Sequence, residues 1–335
     1  MQSGAWVRCR AKRGFEHLAV WLRDETQALV GGAVVGRWAR DGRAFYCVQD
    51  GPLLPPQLDD AQLVLQALLA RVERLRQEDP ARVSHLRIEP RRPLGDWQAA
   101  LMAGFEPAQG DDAFCEPRHT RLLDLTPDDE TRLAAMTPKG RYNVRLARRH
   151  GVTVVCERGR SALDEFMDIR LETAERQGLT VRPRAYFGDI LRAFGEHADL
   201  YFAQFGQRRL ATALVIRFGG TGFYFMGASR AERRDVMAPY LLHHEIAGAL
   251  RAQGCRLYDL WGIAPPDEPD HAWAAISAFK RKLGGAEMTW MPTLDLVYDR
   301  EAYDEFCRED AASRGLAAAV SASGAQPLMV ADTHS

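Results

Sequence analysis

Lys280 has the strongest individual claim to chemistry in this chain. It follows Phe279 near the end of a stretch, Leu257 to Gly285, that passes from strand-like to proline-rich to helical character. Leu257-Tyr258-Asp259-Leu260-Trp261 reads as a short buried strand, ended by Gly262. Pro265, Pro266 and Pro269 keep regular structure out of the next segment. Its Asp267, Glu268, Asp270 and His271 are either simply solvated or face an amine-bearing acceptor. The spacing then predicts a helix from about Ala272 to Lys282, with Trp273, Ile276, Phe279 and Leu283 on one apolar face and Gly284-Gly285 as its stop. A lysine beside such a face has two readings. It stabilises a tetrahedral oxyanion during acyl transfer, or it snorkels from a packed helix into water.

The most unusual local composition lies at Lys139 to His150, where Lys139, Arg141, Arg145, Arg148 and Arg149 occur without a single acid. On a helix the four arginines share one cationic face. That face contacts phosphates, of RNA or of a nucleotide-linked substrate, or it pairs with neighbouring acids. Arg182 precedes Pro183, which holds it extended; a guanidinium aimed in this way suits a diphosphate, and a plain surface arginine is the alternative. Arg10, Lys12 and Arg13 are similarly open. His243-His244-Glu245 lacks the spacing of a zinc motif and reads as structural. No GxSxG, Walker or GxGxxG sequence is present, and the chain offers no evident nucleophile, metal site or redox cofactor.

Hairpins are expected at 18–48, a helix from about Ala61 to Arg76 capped by Asp59 or Asp60, a strand from Val83 to Ile88, a short helix from Trp97 to Ala103, and a strand at 122–125. Helices at 161–177 and 186–194 follow, then strands at 200–205, 209–218 and 221–228, a helix at 239–252 and the strand ending at Trp261. Hairpin, hairpin, helix, strand therefore occurs twice, which two copies of one mixed α/β unit explain better than one large sheet. The 335 residues suit two domains, and the formal net charge of −1 confines any nucleic-acid contact to a local patch. With 46% hydrophobic and 27% charged residues the composition is that of a soluble globular protein; no apolar run is long enough for a membrane span, and no signal peptide is visible. Six scattered cysteines favour reduced thiols in a cytoplasmic setting.

Taken in order, several segments resemble the FemABX family of non-ribosomal peptidyltransferases. They are Gln2-Ser-x-x-Trp6, Tyr46 with Gly51-Pro-Leu, Arg87-Ile-Glu-Pro90, Lys139-x-Arg-x-Asn-x-Arg145, Gly178-Leu-Thr-Val-Arg-Pro183 with Tyr186-Phe187, Ala238-Pro-Tyr240, Tyr258-Asp-Leu-Trp-Gly-Ile263 and Phe279-Lys280. The resemblance implies an α/β (α+β) fold of two tandem GNAT-like domains with mixed, mostly antiparallel sheets. The expected division is residues 1–126 plus about 292–315 on the acceptor side, 127–291 on the aminoacyl-tRNA side, and a mobile tail from 316. It implies transfer of an amino acid of the Gly, Ala or Ser class from aminoacyl-tRNA to an amine of a peptidoglycan precursor, UDP-MurNAc-pentapeptide or its lipid-linked form, without a cofactor. A monomer is favoured, cytoplasmic or peripheral at the inner membrane face.

By the same resemblance Lys280 with Phe279 serves the transfer step, and Glu89 matches an acidic residue near the acceptor. Arg182 and Arg10 match cations on the diphosphate, while Tyr186, Tyr224 and Tyr240 resemble substrate-channel tyrosines. The basic stretch, Lys139 to Arg149, would contact tRNA. Gln49-Asp50 and Thr293 depart from the family pattern on the acceptor side, and no helical arm interrupts the second domain, which favours a minimal, FemX-like enzyme. Two rival readings are an acetyl-CoA-dependent N-acyltransferase, whose Q/RxxGxG/A loop is not visible, and an inactive RNA-binding module.

Overall fold

The computed structural model describes residues 1–12, 15–95, 103–109 and 116–322. The short helix expected at 97–103 falls, but for its last residue, outside them. The chain divides into two compact units: Met1–Glu116 with the chain from Trp290 onward, and Pro117–Thr289.

The first unit contains α1 (Gly4–Ala11), β1 (Glu16–Arg23), β2 (Leu29–Arg40), β3 (Arg43–Val48), α2 (Leu58–Glu78), β4 (Arg82–Ile88) and β5 (Glu106–Pro107). The second runs from β6 (His119–Asp124) through α3 (Asp129–Ala135), α4 (Pro138–Arg149), β7 (Val152–Glu157), α5 (Arg160–Gln177), α6 (Arg184–Phe194), β8 (Ala198–Phe205), β9 (Arg208–Phe218) and β10 (Thr221–Ser229). It is completed by α7 (Ala238–Ala252), β11 (Leu257–Gly262), α8 (Ala274–Lys282) and β12 (Ala286–Thr289). β13 (Leu294–Val297) and α9 (Arg300–Ala322) return to the first unit.

The first sheet has the order β1-β2-β3-β4-β13-β5, and the second β12-β6-β11-β10-β9-β8-β7. Each contains one parallel pair, β3 with β4 and β10 with β11, and each pair is joined by a helix, α2 or α7. A parallel pair needs such a crossover, whereas the antiparallel hairpins turn directly. The repeated hairpin-hairpin-helix-strand order is thus present in both units, and the fold is of the expected α+β class, two mixed, mostly antiparallel sheets with helices.

Alternation along β2 to β4 buries Val35, Tyr46, Val48, Leu86 and Ile88 against Leu65, Leu68 and Val72 of α2. In the second unit Val144 and Ala147 of α4, Leu241, Ile246 and Leu250 of α7, and Tyr258 and Leu260 of β11 share a core. A buried ion pair fastens the end of the first sheet: the Arg87 guanidinium donates to both oxygens of Asp295 at 2.8 and 2.7 Å, and the Tyr303 hydroxyl donates to the same carboxylate at 2.8 Å.

Three details differ from expectation. Gln57, not Asp59 or Asp60, is the N-cap of α2; the two aspartates lie in its first turn, where they favour the positive helix end without capping it. β6 pairs with β11 and β12, so it joins the second sheet and not the first. Of the tail expected from 316, residues up to Ala322 continue α9, as alanine's helix propensity allows, and the rest lies outside the described residues.

Candidate active site

In the second unit β10 and β11 pair only at Thr221, Gly222 and Phe223 with Leu257, Tyr258 and Asp259, and their ladder stops there. Both strands are irregular at that point. β10 sets Tyr224 opposite Val215 and Met226 opposite Leu214, leaving Phe225 as an extra residue. β11 has a register shift between Asp259 and Gly262, with Trp261 at φ 64°. A left-handed tryptophan is costly unless its surroundings hold it. Here the Asp259 carboxylate does so, accepting the Trp261 N–H at 2.8 Å while also accepting the Thr120 hydroxyl. Bulges of this kind re-aim side chains beside functional sites.

The carbonyl of Gly262, at the end of this irregular stretch, accepts from Lys280 Nζ at 2.6 Å. Lys280 is only 6% exposed, and burial pushes its ammonium down to about 8, with Asp259 opposing part of that change. The snorkelling reading therefore fails. α8 buries Ser277 and Lys280; of the expected apolar face Phe279 and Leu283 pack on the core, whereas Trp273 and Ile276 are exposed. Ser277 fixes the helix to the strand exit by accepting the Ala264 N–H at 2.7 Å. Gly262 must remain bare, because a β-carbon would meet Trp273 at 2.8 Å and Pro117 at 2.9 Å.

Around the ammonium stands an aromatic wall. Tyr224 lies with its ring centroid 5.8 Å from Lys280 Nζ and packs edge-on against His243 at 4.5 Å. Phe279 contacts His243 at 5.6 Å and Tyr240 at 5.1 Å. The Tyr224 hydroxyl fills the space that a side chain at position 227 would need, which explains Gly227. Burial raises the Tyr224 phenol to about 12 and, with the nearby Lys280, lowers His243 to about 3, so both stay neutral. His243 Nδ1 shares a 2.9 Å hydrogen bond with the Tyr258 hydroxyl, in keeping with its structural reading. Lys280, Phe279, Tyr224 and Tyr240 are thus brought together.

A second row leads to the same strand end. The Arg182 guanidinium lies 5.4 Å from the Tyr186 ring, Tyr186 stacks with Phe225 at 6.5 Å, and Phe225 meets Trp261 at 6.2 Å. Arg170 of α5 sits beneath β10, buried, with one guanidinium nitrogen 3.3 Å from the Gly227 carbonyl and its Nε without a partner among the described residues. Asp259, Trp261, Gly262, Phe225 and Arg170 are legible in sequence only as parts of strands and a helix, since their roles depend on the two irregular strands and on what α5 lies beneath.

Glu89 and Arg10 belong to the first unit. Glu89 is buried and accepts the N–H groups of Asp50 at 3.2 Å and Glu116 at 3.1 Å. Burial, followed by the neighbouring Glu116 and Asp50 carboxylates, raises it to about 8. Arg10 donates to the Gln49 side chain and lies 4.8 Å from the Phe15 ring and 5.6 Å from that of Trp38. Along α4 the basic residues divide. Arg141 donates to the Ala134 carbonyl at 2.8 Å and to that of Met136, and Arg148 pairs with Glu245 at 2.9 Å, while Lys139, Arg145 and Arg149 face solvent.

The FemAB family model matches residues 104–209 and 204–304, a span that holds every irregularity of the Lys280 site. The chain belongs to the FemAB family. It is 26% identical to the UDP-N-acetylmuramoylpentapeptide-lysine N(6)-alanyltransferase of Weissella viridescens over 320 residues, 92% of each chain. It is 33% identical over 269 residues to the lipid II:glycine glycyltransferase of Staphylococcus aureus, covering 60% of this chain and 63% of that enzyme. The crystal structure of FemX shares the fold, with a TM-score of 0.83 at 18% identity over 91% of this FemAB chain and 94% of FemX. Among the described residues no helix is long and apolar enough to cross a membrane, and no group of acids, histidines and cysteines could hold a metal ion.

Proposed function

We propose that this FemAB protein transfers an amino acid from aminoacyl-tRNA to an amine of the stem peptide of a peptidoglycan precursor. The observation that carries this reading is the buried Lys280 ammonium at the parting of β10 and β11, in a family whose curated relatives are an alanyl- and a glycyltransferase of such precursors. The ester of the donor is already activated, so the protein need mainly hold amine and ester together and stabilise charge. The amine attacks the ester carbonyl, and its carbon–nitrogen bond forms as the carbonyl π pair moves to oxygen. Lys280 Nζ meets that oxyanion. Collapse breaks the ester carbon–oxygen bond, and the proton shed by the amine ends on the departing ribose hydroxyl.

Other roles follow the family resemblance. Arg182, presented on the face of Tyr186, suits the precursor's diphosphate. Arg10, already bonded to Gln49, suits a phosphate as well, and Tyr186, Tyr224 and Tyr240 line the substrate path. Glu89 is assigned to the acceptor's amine, and the α4 cations to the RNA.

The deciding experiment supplies UDP-MurNAc-pentapeptide and tRNA charged with mixed labelled amino acids, then weighs the precursor. Addition of one residue, abolished by RNase, is expected. Addition only to a lipid-linked precursor would change the acceptor. Acetylation of an amine from acetyl-CoA, with no use of charged tRNA, would overturn the reading.

A further inference from the structure

One feature of α4 is left over by the transfer chemistry: Tyr142, a residue 48% exposed between the basic ones. It falls on one side of the helix with Lys139, Arg145 and Arg149, all exposed. Lys139 Nζ lies 5.0 Å and Arg149 Cζ 5.9 Å from its ring centroid. Among the described residues no carboxylate neutralises Lys139, Arg145 or Arg149, in contrast to Arg148 with Glu245.

The stripe also begins at the right place. A β-carbon on Gly140 would stand 2.0 Å from the Lys282 carbonyl, and Thr137 Oγ1 reaches that same carbonyl at 3.4 Å. The first turn of α4 is therefore packed directly on the end of the helix that carries Lys280.

We propose that Tyr142 stacks an unpaired base of the donor RNA while Lys139, Arg145 and Arg149 take the flanking phosphates. The proposal rests on the aminoacyl-tRNA reading above. A duplex offers a protein face its phosphates and grooves, for which cations suffice; an exposed aromatic ring among unpaired cations is what a single strand requires. The ester of a charged tRNA sits on just such an unpaired 3′ end. Lys139 and Arg149, within cation–π reach, hold the ring upright when RNA is absent and can turn to phosphates when it is present.

The test uses the full chain with tRNA carrying 2-aminopurine at the unpaired base before the terminal CCA. Uncharged RNA reports stacking by fluorescence quenching, and the charged form reports transfer. Tyr142→Phe and Tyr142→Trp are expected to keep the quenching. Tyr142→Ala is expected to lose it and to raise KM for charged tRNA about tenfold to hundredfold, with kcat unchanged. Unaltered quenching and KM in Tyr142→Ala, beside weakened binding and a shallower salt dependence in Lys139→Ala/Arg149→Ala, would leave a phosphate contact alone and overturn the stacking role. If the unmodified protein neither binds nor uses charged tRNA, the donor reading itself fails, and stacking fails with it.

Discussion

Lys280 is held as a cation in a place that discourages cations: it is buried, its ammonium is lowered to about 8, and its fixed acceptor is a single carbonyl at 2.6 Å. At neutral pH it remains protonated, so the fold carries a desolvated charge that a passing oxyanion would complement. The folded chain gives up this proton near pH 8 and the unfolded chain only near 10.5, so the lysine lowers stability below that window and stops doing so as pH rises through it. Lys280→Met fills similar volume without the charge. Its transfer rate is expected to fall roughly 10²–10³-fold, the usual loss of an oxyanion donor, while its melting temperature at pH 7 falls no lower than that of the unmodified protein. A Lys280→Met protein that is fully active, by single-turnover transfer, would remove the oxyanion role. The lysine was legible in sequence because Phe279-Lys280 stands at the end of a helix facing a buried strand. Asp259 and Trp261 were legible only as strand residues, since nothing in their types announces a positive φ at Trp261 or the hydrogen bond that supports it.

Period and composition located the helices and strands of the repeated order, not α1, α3, β7, β12, β13 or α9, and their faces less well. α8 was read with Trp273 and Ile276 inward because apolar periodicity is normally a core signal. Only Phe279 and Leu283 of that face turn inward, and the polar pair Ser277 and Lys280 is buried beside them, which is itself the mark of a site. The basic run of α4 was read as one cationic face, but side-chain reach divides it. Arg141 and Arg148 turn to carbonyls and carboxylates of the same unit, and the true solvent stripe includes an aromatic residue. What joins these two helices is Gly140, whose missing side chain leaves room for the Lys282 carbonyl. Gly140→Ala is not a helix-propensity gain here, because the neighbour is backbone and cannot rotate away. We expect it to cost about 1–3 kcal/mol, the usual range for overpacking, seen as a drop of roughly 3–10 °C in thermal unfolding. An unchanged or raised melting temperature would show that α4 and α8 are not packed this closely.

Across the whole molecule, buried titratable groups set how stability responds to pH, and they oppose one another. His85 and His243 are lowered by burial to about 4 and about 3, so each contributes stability above pH 6.5 that is lost as pH falls toward those values. Glu89 works in the other direction. Its folded value near 8 lies above the ordinary 4.5, because burial and the Glu116 and Asp50 carboxylates disfavour its charge. It binds a proton in the folded chain between those limits and not in the unfolded one, so its contribution is complete below pH 4.5 and disappears as pH rises through 8. A single melting curve against pH mixes these signs; the difference between two proteins separates them. Glu89→Gln keeps the shape and accepts the Asp50 or Glu116 N–H groups without ever ionising. Relative to the unmodified protein it should gain stability on going from pH 5 to pH 8.5, by ~2–3 kcal/mol after allowance for relaxation around the charge. Parallel pH profiles for the two proteins would mean that Glu89 is already ionised near neutrality, hydrated more freely than its burial implies. The histidine contributions cancel in that difference, so a gain that accumulates between pH 4.5 and 8 reports the buried carboxyls, Glu89 together with Glu116, which burial raises in the same direction to about 7.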